Sequence, residues 1–570
     1  MSREIWILAA IAEPTTHHMI PMKYRSCPAS LTRSLALLIA ASSAVSARAD
    51  VKLPVIFGDH MVLQRDQKVP VWGTADEGEK VTVEFAGQKV SATAKDGKWS
   101  VALAPLKASS TGAKFTVSGN NKIELEDVLV GEVWFCSGQS NMEFTVSGDK
   151  GGKEVIAAAN NPRIRHFKVP HVTEFTPQTE VKTSGGWLAT TPATVGGFTA
   201  VGYFFAVDIQ KQLDVPIGLI GCNWGGTRID PWIPPVGFQS VPALKADFAD
   251  KLATFPAKSP LMDKYLEPVL DADGKPKIDP KTGKPMMAQA VDANGRPKQK
   301  QVVDAEGKPV TIASNGSPMA IYNAMVHPII PYAIRGALWY QGESNNGEGM
   351  LYFEKMKALI GGWRSLWQEG DFPFYFVELA PYHYSSPQRN IPENLPGIWE
   401  AQTAALSIPN TGMAVTTDVA TIGNIHPPDK QTVAHRLALW ALAKTYKKSE
   451  AGYASPLFDT VKIQGDKVRL TFKNAEGGLK SRDGQALTWF TIAGEDKKFV
   501  DAKAEIADGN SVVVSAAGVD KPAAVRFGWN ELAQPNLANA AGLPASPFRT
   551  DKWTDATMPV VPFTPETAKK

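Results

Sequence analysis

A serine hydroxyl becomes a nucleophile only when a neighbouring base takes its proton, and a histidine is the usual base. Ser140 lies in Gly138-Gln139-Ser140-Asn141-Met142, directly after Val133-Trp134-Phe135-Cys136. That apolar run reads as a short strand buried on both faces of a parallel sheet. Ligands of open α/β sheets sit beyond the carboxyl ends of the strands, and Ser140 stands at such a place. It is the candidate nucleophile. His426, in Ile425-His426-Pro427-Pro428 beyond the apolar stretch Met413–Thr417, is the candidate base. The logic of such pairs asks for a carboxylate that holds the imidazole in one tautomer. Glu343 and Asp418 both qualify, and the spacing leaves the choice between them open.

An attacked carbonyl oxygen gathers negative charge, which needs donors already in place. Asn223-Trp224-Gly225-Gly226-Thr227 follows a second apolar run, and its paired glycines let bare N–H groups approach a ligand. Gln341-Gly342-Glu343-Ser344-Asn345 follows a third. The Ser140 N–H, the N–H of Gly225 or Gly226 and the side-chain amide of Gln341 or Asn345 are the candidate oxyanion donors. Gln139, Asn141 and Trp224 are placed to contact substrate. A serine after a strand is most often a turn or cap residue, and a histidine before two prolines is often one too. Four such groups at four strand ends are hard to explain by packing.

The elements that must position them follow a strand-helix alternation. Apolar strands are expected at Val133–Cys136, Ile217–Cys222, Ile334–Tyr340, Phe374–Leu379 and Met413–Thr417, with helices around Gly202–Leu213, Tyr352–Trp367, Trp399–Leu406 and Lys430–Tyr446. This predicts an α/β fold with a mostly parallel sheet covered on both faces. Residues 128–242 and 319–450 would form it. Residues 50–127 alternate as a small β-sandwich, read as a structural brace with carbohydrate binding as the alternative. Residues 451–570 read as a second small β-domain and tail. Between them, residues 243–318 repeat Gly-Lys-Pro or Gly-Arg-Pro at 274, 283, 295 and 307. Such repeated turns suggest β-hairpin arms or a ruffled loop. An excursion this long is either a lid or substrate wall or a tolerated surface insertion.

A chain of 570 residues is expected to divide into two to four domains. A net charge of +3 argues against a polyanionic partner, so no nucleic acid is expected. Lys23, Arg25 and Arg33 precede an apolar run from Leu35 to Val45 and the small-x-small triplet Ala47-Arg48-Ala49. Residues 1–49 therefore read as a secretory leader, too short for a membrane span, with Met22 as a plausible start. An exported chain, periplasmic or extracellular, is expected. Cys136 and Cys222 remain in the mature chain. They read as small buried hydrophobes, with a disulfide as the alternative, and nothing around them has metal-ligand spacing.

Gly-Gln-Ser-Asn-Met at 138–142, Trp-Gly-Gly-Thr at 224–227, Trp-Tyr-Gln-Gly-Glu-Ser-Asn at 339–345 and Ile-His-Pro at 425–427 resemble the sialate O-acetylesterase family of SGNH hydrolases. Asp59-His-Met-Val-Leu-Gln-Arg65 and Gly542-Leu-Pro-Ala-Ser-Pro-Phe-Arg549 echo it, so the likeness runs from about Leu53 to Trp553, outside the Gly-Lys-Pro insertion. The resemblance implies a flavodoxin-like α/β/α core and hydrolysis of acetyl esters on an oligo- or polysaccharide through an acyl-enzyme on Ser140. It implies His426 as base and later acid, and neither a cofactor nor a metal. Related acetyl xylan esterases support the histidine with the glutamate of Gln-Gly-Glu, which favours Glu343. Many members carry Asp two residues before the histidine, where this chain has Asn424. Either Glu343 or Asp418 then acts, or the enzyme runs on a Ser-His dyad. The substrate would be a sialate or a plant polysaccharide such as xylan or xyloglucan, with Trp224, Trp232, Tyr382 and Tyr384 as a stacking floor. A non-catalytic glycan-binding protein on the same scaffold is the rival, supported by Asn424. An α/β-hydrolase is excluded because Met142 stands where its Gly-x-Ser-x-Gly elbow needs glycine.

Overall fold

The computed structural model describes residues 50–182, 185–249, 252, 254–280, 282–293, 295–386, 391–448, 452–559 and 561. The expected leader lies outside them. Its centre is a sheet whose strands are β1 (Lys122–Gly138), β2 (Asn161–Lys168), β3 (Trp187–Thr190), β4 (Ile217–Asn223), β5 (Gly336–Tyr340), β6 (Phe374–Val377) and β7 (Thr411–Ala414). Their order is β7-β6-β5-β1-β4-β2-β3. All neighbours run parallel except β2 and β3. From Val128 onward β1 is buried at every residue, as are β4, β5 and β6 throughout, which is why these segments carry no polar alternation.

Alternate side chains of β1 point to opposite faces, and each face is covered by a helix. Trp134 meets Phe205 of α2 (Ala200–Leu213) edge-on at 4.8 Å, and Phe135 meets Trp363 of α3 (Leu351–Trp367) at 5.4 Å. This is an α/β/α sandwich. α1 (Ser140–Glu143) is a single turn after β1, while α4 (Asn394–Ala404) and α5 (Lys430–Trp440) complete the layers. Three helices are read from sequence nearly to their ends, and α5 passes into a π-turn at Ala441–Thr445.

β2 and β3 are not anticipated by hydrophobic pattern. β2 carries Arg165 and His166, both buried. Arg165 is reconciled with the interior by hydrogen bonds to Asp127 Oδ2 (2.7 Å) and to the carbonyls of His60 and Asp127. A charged strand therefore hides its burial from any reading of hydropathy.

β1 is unusually long because it serves two sheets. Its first half pairs antiparallel with Ser109–Ser118 of the N-terminal β region, and Val62–Gln64 runs parallel to Leu129–Gly131. The insertion folds as nested antiparallel pairs: Lys258–Pro260 with Thr311–Ala313, Met262–Lys264 with Gln299–Gln301, and Leu266–Pro268 with Met287–Gln289. Each Gly-Lys-Pro or Gly-Arg-Pro turn has its glycine at φ between 68° and 77°, a conformation side-chain-bearing residues avoid. At Asp271, Asp292 and Asp304 the carboxylate accepts from the backbone N–H four residues on, which sets the repeat. After α5, Leu457–Gln464, Lys467–Lys473, Ser511–Ser515 and Lys503–Ala507 form a four-stranded antiparallel sheet with its own apolar cluster. Among the described residues no helix is long and apolar enough to cross a membrane. Cys136 and Cys222 are free and buried.

The C-terminal region is fastened to the core through Glu378, just past β6. Its carboxyl is fully buried and takes a hydrogen bond from Ser546 Oγ at 2.5 Å. Burial pushes its pKa up to about 8, against an ordinary 4.5. The folded chain thus keeps a proton that the unfolded chain loses above 4.5, so stability falls as pH rises from about 4.5 to 8 and levels off beyond. Glu378→Gln removes that dependence. Its Tm is expected to exceed the wild type's at pH 8.5, by the equivalent of up to about 5 kcal/mol, and not at pH 5. Thermal unfolding at the two pH values checks the crossover; parallel curves would reject it.

Candidate active site

Gly138 ends β1 at φ 137°, and a Cβ there would lie 2.2 Å from the Tyr340 carbonyl oxygen of β5. Only glycine lets the two strand ends approach this closely. The chain then turns into α1, whose first residue is Ser140. The N–H of Ser140, in that first turn, is one of the donors a helix leaves without an internal acceptor. Across the sheet edge, the loop between β7 and α5 brings in His426. Its Nε2 lies 2.7 Å from Ser140 Oγ, across a separation of 286 residues. Burial and the nearby Lys430 charge hold the imidazole pKa below its ordinary 6.5, so the ring is neutral at neutral pH and able to accept a proton.

Neither carboxylate expected beside that ring is there. Asp418 points away and forms a two-pronged pair with Arg436, Oδ1 to Nη1 at 2.6 Å and Oδ2 to Nη2 at 2.7 Å. Arg436 lies on α5, one face of which had no visible reason to carry a buried cation. Glu343 lies beneath the site. Its oxygens accept from Gln139 Nε2 (2.5 Å) and Asn141 Nδ2 (2.6 Å). Burial raises its pKa, against the pull of the Asn141 amide and the Lys430 charge. Gln139 and Asn141 are therefore spent on Glu343 and buried, in place of the substrate contact their position suggested. Asn424, two residues before the histidine, accepts the backbone N–H of His426 at 2.9 Å. Among the described residues no carboxylate forms an ion pair with the His426 ring.

The expected oxyanion donors also sort differently. Gln341 Nε2 bonds the Thr227 carbonyl (3.1 Å) and Asn345 Oδ1 (2.7 Å), and both side chains are completely buried. Asn345 Oδ1 in turn takes the Ile229 N–H, so these two amides brace the loop after β4 from below. Strand-end position told where these residues are, and not which way they face. That loop does reach the site. A Cβ on Gly225 would stand 3.2 Å from Ser140 Cβ, so its backbone lies against the serine. Its N–H, however, donates to Glu143 Oε2 at 2.8 Å. Gly226 has φ 74°, and its carbonyl accepts from Ser344 Oγ.

Glu143 and His171 were not singled out by sequence. Glu143 Oε1 is 2.9 Å from His171 Nε2, and the His171 ring stacks on Trp224 at 4.5 Å and 4°. Burial works against ionising Glu143, but the His171 contact and the Gly225 N–H outweigh it and lower its pKa. A charge therefore lies on the same turn as the nucleophile, against the Gly225 N–H. The one available sign was spacing, since Glu143 follows Ser140 by three residues on the same turn. Trp232, expected in a stacking floor, is fully buried with Nε1 on Thr227 Oγ1. Trp224 is only partly buried. Among the described residues no group of three or more His, Cys, Asp or Glu is disposed to hold a metal ion.

Comparison with known proteins fits this geometry. Residues 310–441, which carry the Gln341–Asn345 and His426 segments, match the family model of the sialic acid-specific acetylesterase carbohydrate esterases. The mouse (Mus musculus) sialate O-acetylesterase is 29% identical over 565 residues, covering 90% of this chain and 97% of the mouse chain. The human enzyme is 28% identical over 536 residues, covering 86% and 90%. A solved carbohydrate acetylesterase from Xanthomonas citri superposes with a TM-score of 0.72 at 33% identity, over 88% of this chain and all of that one. The chain belongs to the sialate O-acetylesterase family. As a member of that family it is a carboxylic-ester hydrolase of acetylated carbohydrate, built on an SGNH-type α/β/α core with added β regions.

Proposed function

We propose that this protein is an exported carbohydrate O-acetylesterase that works through an acetyl-enzyme on Ser140. The observation that carries the reading is the 2.7 Å contact between His426 Nε2 and Ser140 Oγ at the end of β1. Ser140 Oγ attacks the acetyl carbonyl carbon while Nε2 takes its proton. The tetrahedral oxygen is met by the Ser140 N–H, and by the Gly225 N–H once the carboxylate of Glu143 yields it. Collapse breaks the bond to the sugar oxygen, which leaves with the proton from Nε2. Water then attacks the acetyl-serine, gives its proton to Nε2, and acetate departs as Oγ is reprotonated. Among the described residues no carboxylate pairs with the His426 ring, and the pair then acts as a dyad.

An apolar run ahead of Ala47-Arg48-Ala49 supports export, and the partly buried Trp224 beside the serine supports a sugar or polysaccharide substrate. Sialate, acetylated xylan and acetylated xyloglucan are the classes to compare. The reading is tested by treating the protein with a serine-directed organophosphonate and mapping the adduct, alongside acetate release from the three substrates. A single adduct on Ser140 with loss of acetate release is the expected result. An unlabelled protein without acetate release would leave the glycan-binding alternative in its place, and label elsewhere with activity intact would take the nucleophile away from Ser140.

A further inference from the structure

A histidine that has no carboxylate paired with it among the described residues has to be aimed by something else. The loop bearing His426 is held at three consecutive residues. The His426 N–H is taken by Asn424 Oδ1 at 2.9 Å. The carbonyl before it, of Ile425, accepts from Asn141 Nδ2 at 3.0 Å, and the carbonyl after it, of Pro427, accepts from Lys430 Nζ at 2.7 Å. Lys430 Nζ also donates to Asn141 Oδ1 at 2.6 Å, and Asn141 donates to Glu343. Both clamps thus belong to one buried chain of hydrogen bonds, Glu343 to Asn141 to Lys430.

We propose that Lys430 is a positioning residue for His426, holding with Asn141 the two carbonyls that flank the histidine so that main-chain geometry aims the ring at Ser140. This rests on the Ser140–His426 reading of the site. Lys430 has no exposed surface and lies over the rings of Phe144 and Tyr340, at 4.8 and 5.4 Å. An ammonium is costly to bury without need, and this one lies four residues from the base, at the start of α5. Burial lowers its pKa to about 7, while Glu343, Asp149 and Asp429 all favour the charged form. Its charge in turn helps keep the His426 pKa low. The arrangement gives the loop two effects from one side chain, a fixed carbonyl and a local positive potential.

The test compares wild type and Lys430→Met, which keeps the apolar stem and removes donor and charge. With p-nitrophenyl acetate, kcat is expected to fall about 30- to 100-fold while KM stays within about twofold. The acid limb of the kcat/KM profile is expected to move to higher pH, because the imidazole loses a neighbouring cation. A role in folding alone would lower the active fraction without moving that limb. Should Lys430→Met fail to fold by circular dichroism, Lys430→Gln is read by the same two criteria. A folded variant with unchanged kcat and unchanged acid limb overturns the inference. Organophosphonate labelling of the wild type at Ser140 separates the two claims: if it fails, the nucleophile assignment and this inference fall together, and if it succeeds, only the variant's result bears on Lys430.

Discussion

Replacing Ser140 with alanine is expected to lower kcat for p-nitrophenyl acetate by about four orders of magnitude or more, with the folded state intact. Loss of a nucleophile removes the whole acyl-enzyme route, which is worth more than any single donor around it. The substitution is expected to leave the fold intact because, among the described residues, Ser140 Oγ bonds His426 alone, and alanine is well tolerated in a helical turn. Burst kinetics sharpen the result. Wild type should release a stoichiometric burst of p-nitrophenol if deacylation is slow, and the alanine variant none. Turnover within tenfold of wild type would remove Ser140 from the chemistry.

The second large effect concerns Asp418, the carboxylate that sequence offered as one partner for the histidine. Its two oxygens grip Arg436, each side chain only 9% exposed, and Arg436 Nη1 also bonds the Val415 carbonyl at 2.6 Å. Removing one member of a buried pair strands the other, at a cost of about 3–5 kcal/mol. Asp418→Asn should therefore lower Tm by several degrees while kcat and its pH profile stay within about threefold of wild type at a temperature where both are folded. A fall of a thousandfold in kcat with Tm unchanged would return Asp418 to the catalytic machinery.

The contrast between these two residues shows which information a sequence carries. Both were found by the same rule, polar residues after apolar runs, and the rule locates strand ends well because buried parallel strands admit almost nothing polar. The apolar runs at Val133, Ile217, Ile334, Phe374 and Met413 led to the five parallel strands that carry the site. The rule is silent on direction. Ser140 faces solvent and His426, while Gln341 and Asn345, equally near a strand end, turn inward and bond each other. Charged elements were the other blind spot. Arg165 and His166 leave β2 without an apolar run to mark it, and nothing in the helical pattern expected over Lys430–Tyr446 singles out Lys430 as buried. Arg165 and Lys430 are buried because partners from distant parts of the chain, Asp127 for Arg165 and Asn141 for Lys430, supply what water otherwise would. Long-range pairing of this kind leaves no local periodicity to read.

The strand Lys122–Gly138 runs without a break from the N-terminal β region to the serine. A gene fusion that exchanged residues 50–121 for some other module would leave half of that strand's edge without partners, a few residues upstream of the nucleophile. The N-terminal part is thus not a detachable cassette in the way a linker-joined carbohydrate-binding module is. Evolution is then freer to vary this chain at the hairpin arm, which leaves the core at one place and returns to it through a single pair of short strands.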